Sequence, residues 1–257
     1  MAVAMQRPAD RTNETCLIIG GSSGLGRCLA ERFARGGYAL ALVSSDERDT
    51  RALASDLRLR FGVPAETLQL DLGSESLPLR DLDATLSRLP PLTVLLAPAG
   101  RSQDDDQAGE ASPIFDELVR TNFTNICRII AHYVPCLTAA PTGLIVGFGS
   151  VAAVRGRTRN AAYGAAKRAL HSYFESLQHA LAASNIRVQF YVLGYLDTNL
   201  AFAQRTLLPP ASPSRLADCV YRRRSDALRV AYYPRLWQPL CAIVRAVPWA
   251  LFRRLSF

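Results

Sequence analysis

In "NAAYGAAKRAL" (residues 160–170) a phenol and an amine stand four residues apart, so on a helix Tyr163 and Lys167 share one face, one turn from each other. A tyrosine with its ordinary pKa near 10 is a poor proton donor and acceptor at neutral pH unless a nearby cation steadies the phenolate. Lys167 is the one lysine among 30 Lys and Arg residues, the other 29 being arginine. A compact ammonium can lower the phenol pKa and hydrogen-bond ribose hydroxyls, whereas the planar guanidinium fork fits differently and resists deprotonation. The chemistry within reach of this pair is proton transfer to or from an oxygen.

A second stretch could hold phosphate. "CLIIGGSSGLGRCLAERFARGG" is an apolar strand that runs into a glycine-rich turn and then a helix. Gly20, Gly21, Gly24 and Gly26, interleaved with Ser22, Ser23 and Leu25, permit a tight turn and close backbone approach, which would set the free N–H groups of the helix start against a pyrophosphate. The next strand ends in "ALVSSDER". Ser44 and Ser45 stand where a carboxylate would repel a 2′-phosphate, and with Arg48 close by the pattern favours NADP, NAD being the alternative because Asp46 is one residue further on. Asp71, in "LQLDLG", could accept from an adenine amino group or cap the following helix.

The elements that must position these residues are legible as alternation. Apolar runs "TCLIIG", "YALALVS", "TLQLDL", "LTVLLAPAG", "GLIVGFGS", "IRVQFYVLG" and "LRVAYY" are separated by helical patterns near residues 24–36, 46–61, 74–88, 113–138 and 160–184. That predicts an α/β, doubly wound Rossmann fold with a seven-stranded parallel sheet and a C-terminal amphipathic extension. No repeat or low-complexity linker interrupts it. The six cysteines include no C-x-x-C pair and read as buried free thiols, and the three histidines read as structural or solvated. No disulfide and no metal site is expected.

At this point the chain resembles the short-chain dehydrogenase/reductase family, single-domain Rossmann oxidoreductases. "GGSSGLG" is similar to its cofactor turn and "YGAAK" to its Tyr-x-x-x-Lys pair; Ser150 in "GFGSVAA" lies thirteen residues before Tyr163, and Asn122 in "VRTNFTN" matches the family Asn on the helix after the fourth strand. The resemblance covers residues 15 to about 200. It implies that Tyr163 exchanges the proton with a carbonyl or hydroxyl oxygen, that Ser150 steadies that oxygen, and that Lys167 holds the nicotinamide ribose and tunes Tyr163. It also implies a proton-relay water on Asn122, Thr198 against the nicotinamide amide, and a homodimer or homotetramer. Three departures stand out: Gly20 in place of a Thr before the turn, Pro98 in "APAG", and Leu193 in place of a proline before Gly194.

The substrate side reads "LDTNLAFAQRTLLPPASPS", where Leu200, Phe202, Leu207 and Leu208 suggest either a lid over a hydrophobic substrate or ordinary packing. Arg155, Arg157 and Arg159 of "RGRTRN" read as a solvated loop, or as contacts for an anionic carrier or coenzyme phosphate. Charge is uneven: residues 215–257 hold nine Arg and two Asp, a net +7 of the total +8. Expected boundaries are a flexible 1–14, a Rossmann domain over 15–233 and a basic, apolar arm over 234–257. The arm's Trp, Arg and aliphatic residues, broken by Pro239 and Pro248, suit a membrane interface, with a partner subunit or the substrate mouth as the other reading. Nucleic acid fits poorly. The opening "MAVAMQRPADRTNE" lacks a secretory h-region, so a cytoplasmic protein, peripheral on the inner membrane face, is expected to act on a small-molecule carbonyl or alcohol.

Overall fold

Runs such as "TCLII" and "ALALVS" are apolar apart from Thr15 and Ser44, as strands covered on both faces must largely be, and in the computed structural model, which describes residues 13–103, 106–109, 114–198 and 209–254, they are buried along their whole length. The seven strands are β1 (Thr15–Ile19), β2 (Ala39–Ser44), β3 (Ala65–Gln69), β4 (Leu92–Ala97), β5 (Gly143–Ser150), β6 (Ile186–Leu193) and β7 (Val230–Tyr233). They form one sheet in the order β3-β2-β1-β4-β5-β6-β7, every pair parallel. The helices are α1 (Gly24–Arg35), α2 (Glu47–Phe61), α3 (Leu79–Leu86), α4 (Phe115–Val119), α5 (Asn125–Ala139), α6 (Ala161–Ala180), α7 (Pro213–Arg222), α8 (Trp237–Ala246) and α9 (Trp249–Phe252).

Side chains alternate across the sheet and build two cores. Ile18, Leu40, Leu42 and Leu96 pack against Leu29 and Phe33 of α1, Leu57 of α2 and Val220 of α7. Leu17, Ile19, Val43 and Leu95 face Leu82 of α3, Ile126 and Ile130 of α5 and Phe174 of α6. Each such side chain contributes about 1.5–3 kcal/mol of burial. Two glycines in β5 leave room for aromatic rings: a Cβ on Gly147 would lie 2.4 Å from Phe174, and one on Gly149 2.6 Å from Phe190.

The structure differs from the sequence reading at four places. The third strand ends at Gln69 rather than Leu72, because the Leu70 N–H returns to the Ser44 carbonyl and Asp71 then accepts from Gly73 N, turning the chain. The third helix starts at Leu79, behind Pro78. The helix expected over 113–138 is α4, a π-helical turn (Arg120–Thr124) and α5. Helix α7 was not foreseen, although Ser212 accepts from Arg215 N and Pro213 opens the first turn, a recognisable start signal. All six cysteines are free, but only Cys16 and Cys241 are buried; Cys136 is exposed. Residues 1–12 and the lid segment 199–208, with Leu200, Phe202, Leu207 and Leu208, lie outside the described residues.

Candidate active site

Connections from β1 and β4 run to opposite flanks of the sheet, so a crevice opens between their C-terminal ends, where parallel sheets bind ligands. Its volume is about 440 Å³. At one end is the glycine turn: Gly20 has φ +91°, and a Cβ there would meet the Ala99 backbone at 2.9 Å, while one on Gly26 would meet the Gly20 carbonyl at 1.8 Å. No threonine fits Gly20. It belongs to the turn itself, and the residue preceding the turn is Ile19, which corrects the first departure noted above.

Ser22, Ser23, Gly24, Leu25, Ser44, Ser45, Asp71 and Thr198 also line the crevice. Ser44 Oγ donates to Ser22 Oγ at 2.7 Å. Asp46 instead caps α2 by accepting from Asp49 N, and Arg48 turns to Asp49, so neither lines the crevice and no carboxylate stands at this strand tip. Asp71 lines the crevice and accepts from Gly73 N in a turn, but it does not cap the following helix, which begins at Leu79 behind Pro78. The other departures are absorbed. Beside Pro98, the Ala99 N–H ties β4 to the Ile19 carbonyl of β1 at 3.0 Å, and Leu193 pairs with Ser150 and Tyr233 as the last residue of β6.

At the opposite end, β5 delivers Ser150 and α6 delivers Tyr163 and Lys167 to the same wall. Ser150 Oγ accepts from Ala152 N at 3.1 Å, and its hydroxyl favours the ionised form of the neighbouring Tyr163 phenol. Burial raises the Tyr163 pKa; the Ser150 hydrogen bond and the charge of Arg157 draw it back. Lys167, only 3% exposed, donates to the carbonyls of Ala99 (3.0 Å) and Phe148 (3.3 Å), and burial pulls its pKa down to about 8.

Asn122 sits behind this wall on the π-helical turn, a form of helix common at functional sites. Its amide donates to the Arg101 and Leu118 carbonyls, and its Oδ1 accepts from Arg101 N, keeping one lone pair. A Cβ on Gly100 would lie 3.2 Å from both Asn122 Oδ1 and Lys167 Nζ, so the two groups flank one small space.

Two residues escaped the sequence reading. Asp106, 2% exposed, accepts from Ala162 N (2.8 Å) and Tyr163 N (2.9 Å), so a loop after β4 caps the helix that carries the tyrosine; the local N-cap, Asn160, has φ 54° and no side-chain cap. The signal, an Asp among three, has no sequence pattern that links it to residue 163. The arginine loop is also not simply solvated: Arg157 lines the crevice, and Arg155 donates to the Val244 and Val247 carbonyls and lies 3.8 Å over Phe252. Arg159 remains exposed.

The short chain dehydrogenase family model matches residues 14–206. An uncharacterized oxidoreductase of Bacillus subtilis, YmfI, is 30% identical over 211 residues, 80% of this chain and 83% of that protein. Among solved structures, a short-chain dehydrogenase from Sphingobium yanoikuyae in complex with NADPH is similar at 29% identity and TM-score 0.78, covering 92% of this chain and 97% of that one. The bulky-bulky ketone specific alcohol dehydrogenase from Comamonas testosteroni is similar at 26% identity and TM-score 0.74, covering 92% and 95%.

Proposed function

This chain belongs to the short-chain dehydrogenase family and is an NAD(P)-dependent oxidoreductase, and from that premise we propose that it reduces a hydrophobic or lipid-like ketone to a secondary alcohol, with NADP as its cofactor. One observation carries the reading: Ser150, Tyr163 and Lys167 converge on a crevice whose far end is a glycine loop at a helix start. The cradle fits a dinucleotide, since the space beside Gly20 and Gly24 would be narrowed by any Cβ and both glycines have positive φ. Residues 20–26 would hold the pyrophosphate, Asp71 the adenine, Lys167 the nicotinamide ribose and Thr198 the amide. When bound, the nicotinamide supplies the hydride taken up by the carbonyl carbon.

Tyr163 gives its proton to the carbonyl oxygen. The Ser150 contact and the charge of Arg157, which offset the effect of burial on the phenol, ease that transfer. Ser150 donates to the same oxygen and steadies the charge that develops there. Asn122, through the free lone pair on Oδ1, holds a relay water beside Lys167. Ser150, Tyr163 and Lys167 in one crevice, with Asn122 behind its wall, weigh against a second reading, a noncatalytic nucleotide-binding scaffold.

Cofactor choice rests on Ser44 and Ser45 with Asp46 turned away, and the NADPH-bound relative supports it. Fluorescence titration tests it directly: NADPH should bind more tightly than NADH. Tighter NADH would overturn the cofactor preference, and binding of neither by folded protein would overturn the enzymatic reading.

For the arm, α8 and α9 leave Leu236, Ile243, Trp249 and Leu251 exposed among Arg235, Arg245, Arg253 and Arg254, and no acidic residue occurs after Asp226. Contact with an anionic membrane surface is the occupant this composition favours. No helix among the described residues is long and apolar enough to cross a membrane. Assembly as a homodimer or homotetramer is proposed with the family.

A further inference from the structure

Among the described residues, four charged side chains line the crevice: Asp71, Arg101, Arg157 and Lys167. Asp71 lies toward the adenosine end. Arg101 is paired with Glu117, and Lys167 is held by two backbone carbonyls. Arg157 differs from all of them. Its Nε is buried without a hydrogen-bond partner, and it takes part in none of the ion pairs among the described residues. A guanidinium partly withdrawn from water with an unanswered donor is unfavourable unless a ligand completes it.

Its place says which ligand. Arg157 lies between Ser150 and Tyr163 in sequence, on the wall opposite the glycine turn, and its charge is felt at the Tyr163 phenol. The rest of that wall, Val151, Ala152, Leu193, Gly194 and Tyr195, carries no charge. Its two sequence neighbours of the same type are committed elsewhere, Arg155 to the carbonyls of α8 and Arg159 to solvent. One planar, bidentate donor on a wall that is otherwise uncharged among the described residues matches one oxyanion on the substrate.

We propose that Arg157 is the specificity residue of this pocket and receives a carboxylate or phosphate of the same molecule whose ketone meets Tyr163 and Ser150. The inference deepens the reductase reading and rests on it for the position of the carbonyl. The substrate class becomes an apolar oxo compound with a single anionic group. That anion is either its own carboxylate or the phosphate of a phosphopantetheine-type carrier.

The test uses the full chain with NADPH and matched probes: medium-chain oxo acids, their methyl esters, and the corresponding oxoacyl thioesters of pantetheine with and without the 4′-phosphate. Wild-type protein and the variants Arg157→Gln and Arg157→Lys are compared by turnover and by calorimetric binding to the NADPH complex. Arg157→Gln should lower kcat/KM and affinity for one anionic series at least about tenfold more than for its neutral partner, with Arg157→Lys in between. Which series responds distinguishes carboxylate from carrier phosphate. An equal effect on charged and neutral partners, or no effect on either, or wild-type preference for the neutral partners, overturns the proposal. Anion binding that depends on Arg157 without turnover of any ketone would instead count against the reductase reading alone.

Discussion

Lys167 is held in a place that favours its neutral form. Its pKa falls from 10.5 to about 8 because burial penalises the ammonium. Below about 8 the folded and unfolded chains both carry the proton, and a destabilisation of about 3 kcal/mol is present in full. Between about 8 and 10.5 the unfolded chain binds more protons than the folded one, so this contribution makes stability rise with pH. Urea unfolding of wild type and Lys167→Met at pH 7 and pH 10 checks the sign. Wild type should gain on the variant by up to about 3 kcal/mol, and parallel behaviour would contradict the assignment. The same proton should place an alkaline limb at about 8 in the pH profile of kcat/KM for ketone reduction. At this scale Tyr163 and Lys167 were readable as a pair from type and spacing, and Ser150 through the family resemblance. Arg157 was legible as a residue but not as a lining group, because only the fold of its loop turns it inward.

The start of α6 sets where Tyr163 points. Asp106 is the acceptor for the second and third N–H groups of that helix, 56 and 57 residues away in sequence. Asp106→Ala should cost about 2 kcal/mol by leaving both donors without an acceptor, and Asp106→Asn, which retains one carbonyl oxygen, should cost less. The fall in kcat should follow the same order with little change in NADPH affinity; an unchanged kcat in a folded Asp106→Ala protein would limit Asp106 to stability. In β5, Gly149→Ala should destabilise by about 1–3 kcal/mol through its clash with Phe190. Strands were legible as short continuous apolar runs and long helices by their period of 3.6. The π-helical turn at Arg120–Thr124 was not, since its apolar periodicity runs on from α4 into α5. The cap by Asp106 is tertiary and leaves no local mark.

Across the whole molecule the arm is tied to the catalytic loop. Arg155 bonds the α8 carbonyls, and Trp237 sits so close over Gly194 that a Cβ there would lie 1.8 Å from its ring nitrogen. What the arm leaves exposed is its Ile243 and Trp249 face, 62% and 67% accessible. Ile243→Glu with Trp249→Glu in the full chain should abolish sedimentation with anionic liposomes without changing ketone turnover in solution. Equal sedimentation of both proteins, or none by wild type, would contradict the membrane reading. The arm's composition was plain in the sequence, but its anchoring through Arg155 was not, because that contact spans 89 residues. The central claim, reduction of a ketone by a proton from Tyr163, is tested most directly by NADPH consumption with bulky ketones in wild type and Tyr163→Phe. The account predicts a loss of at least about 100-fold with NADPH affinity retained. Consumption that persists in Tyr163→Phe would contradict it.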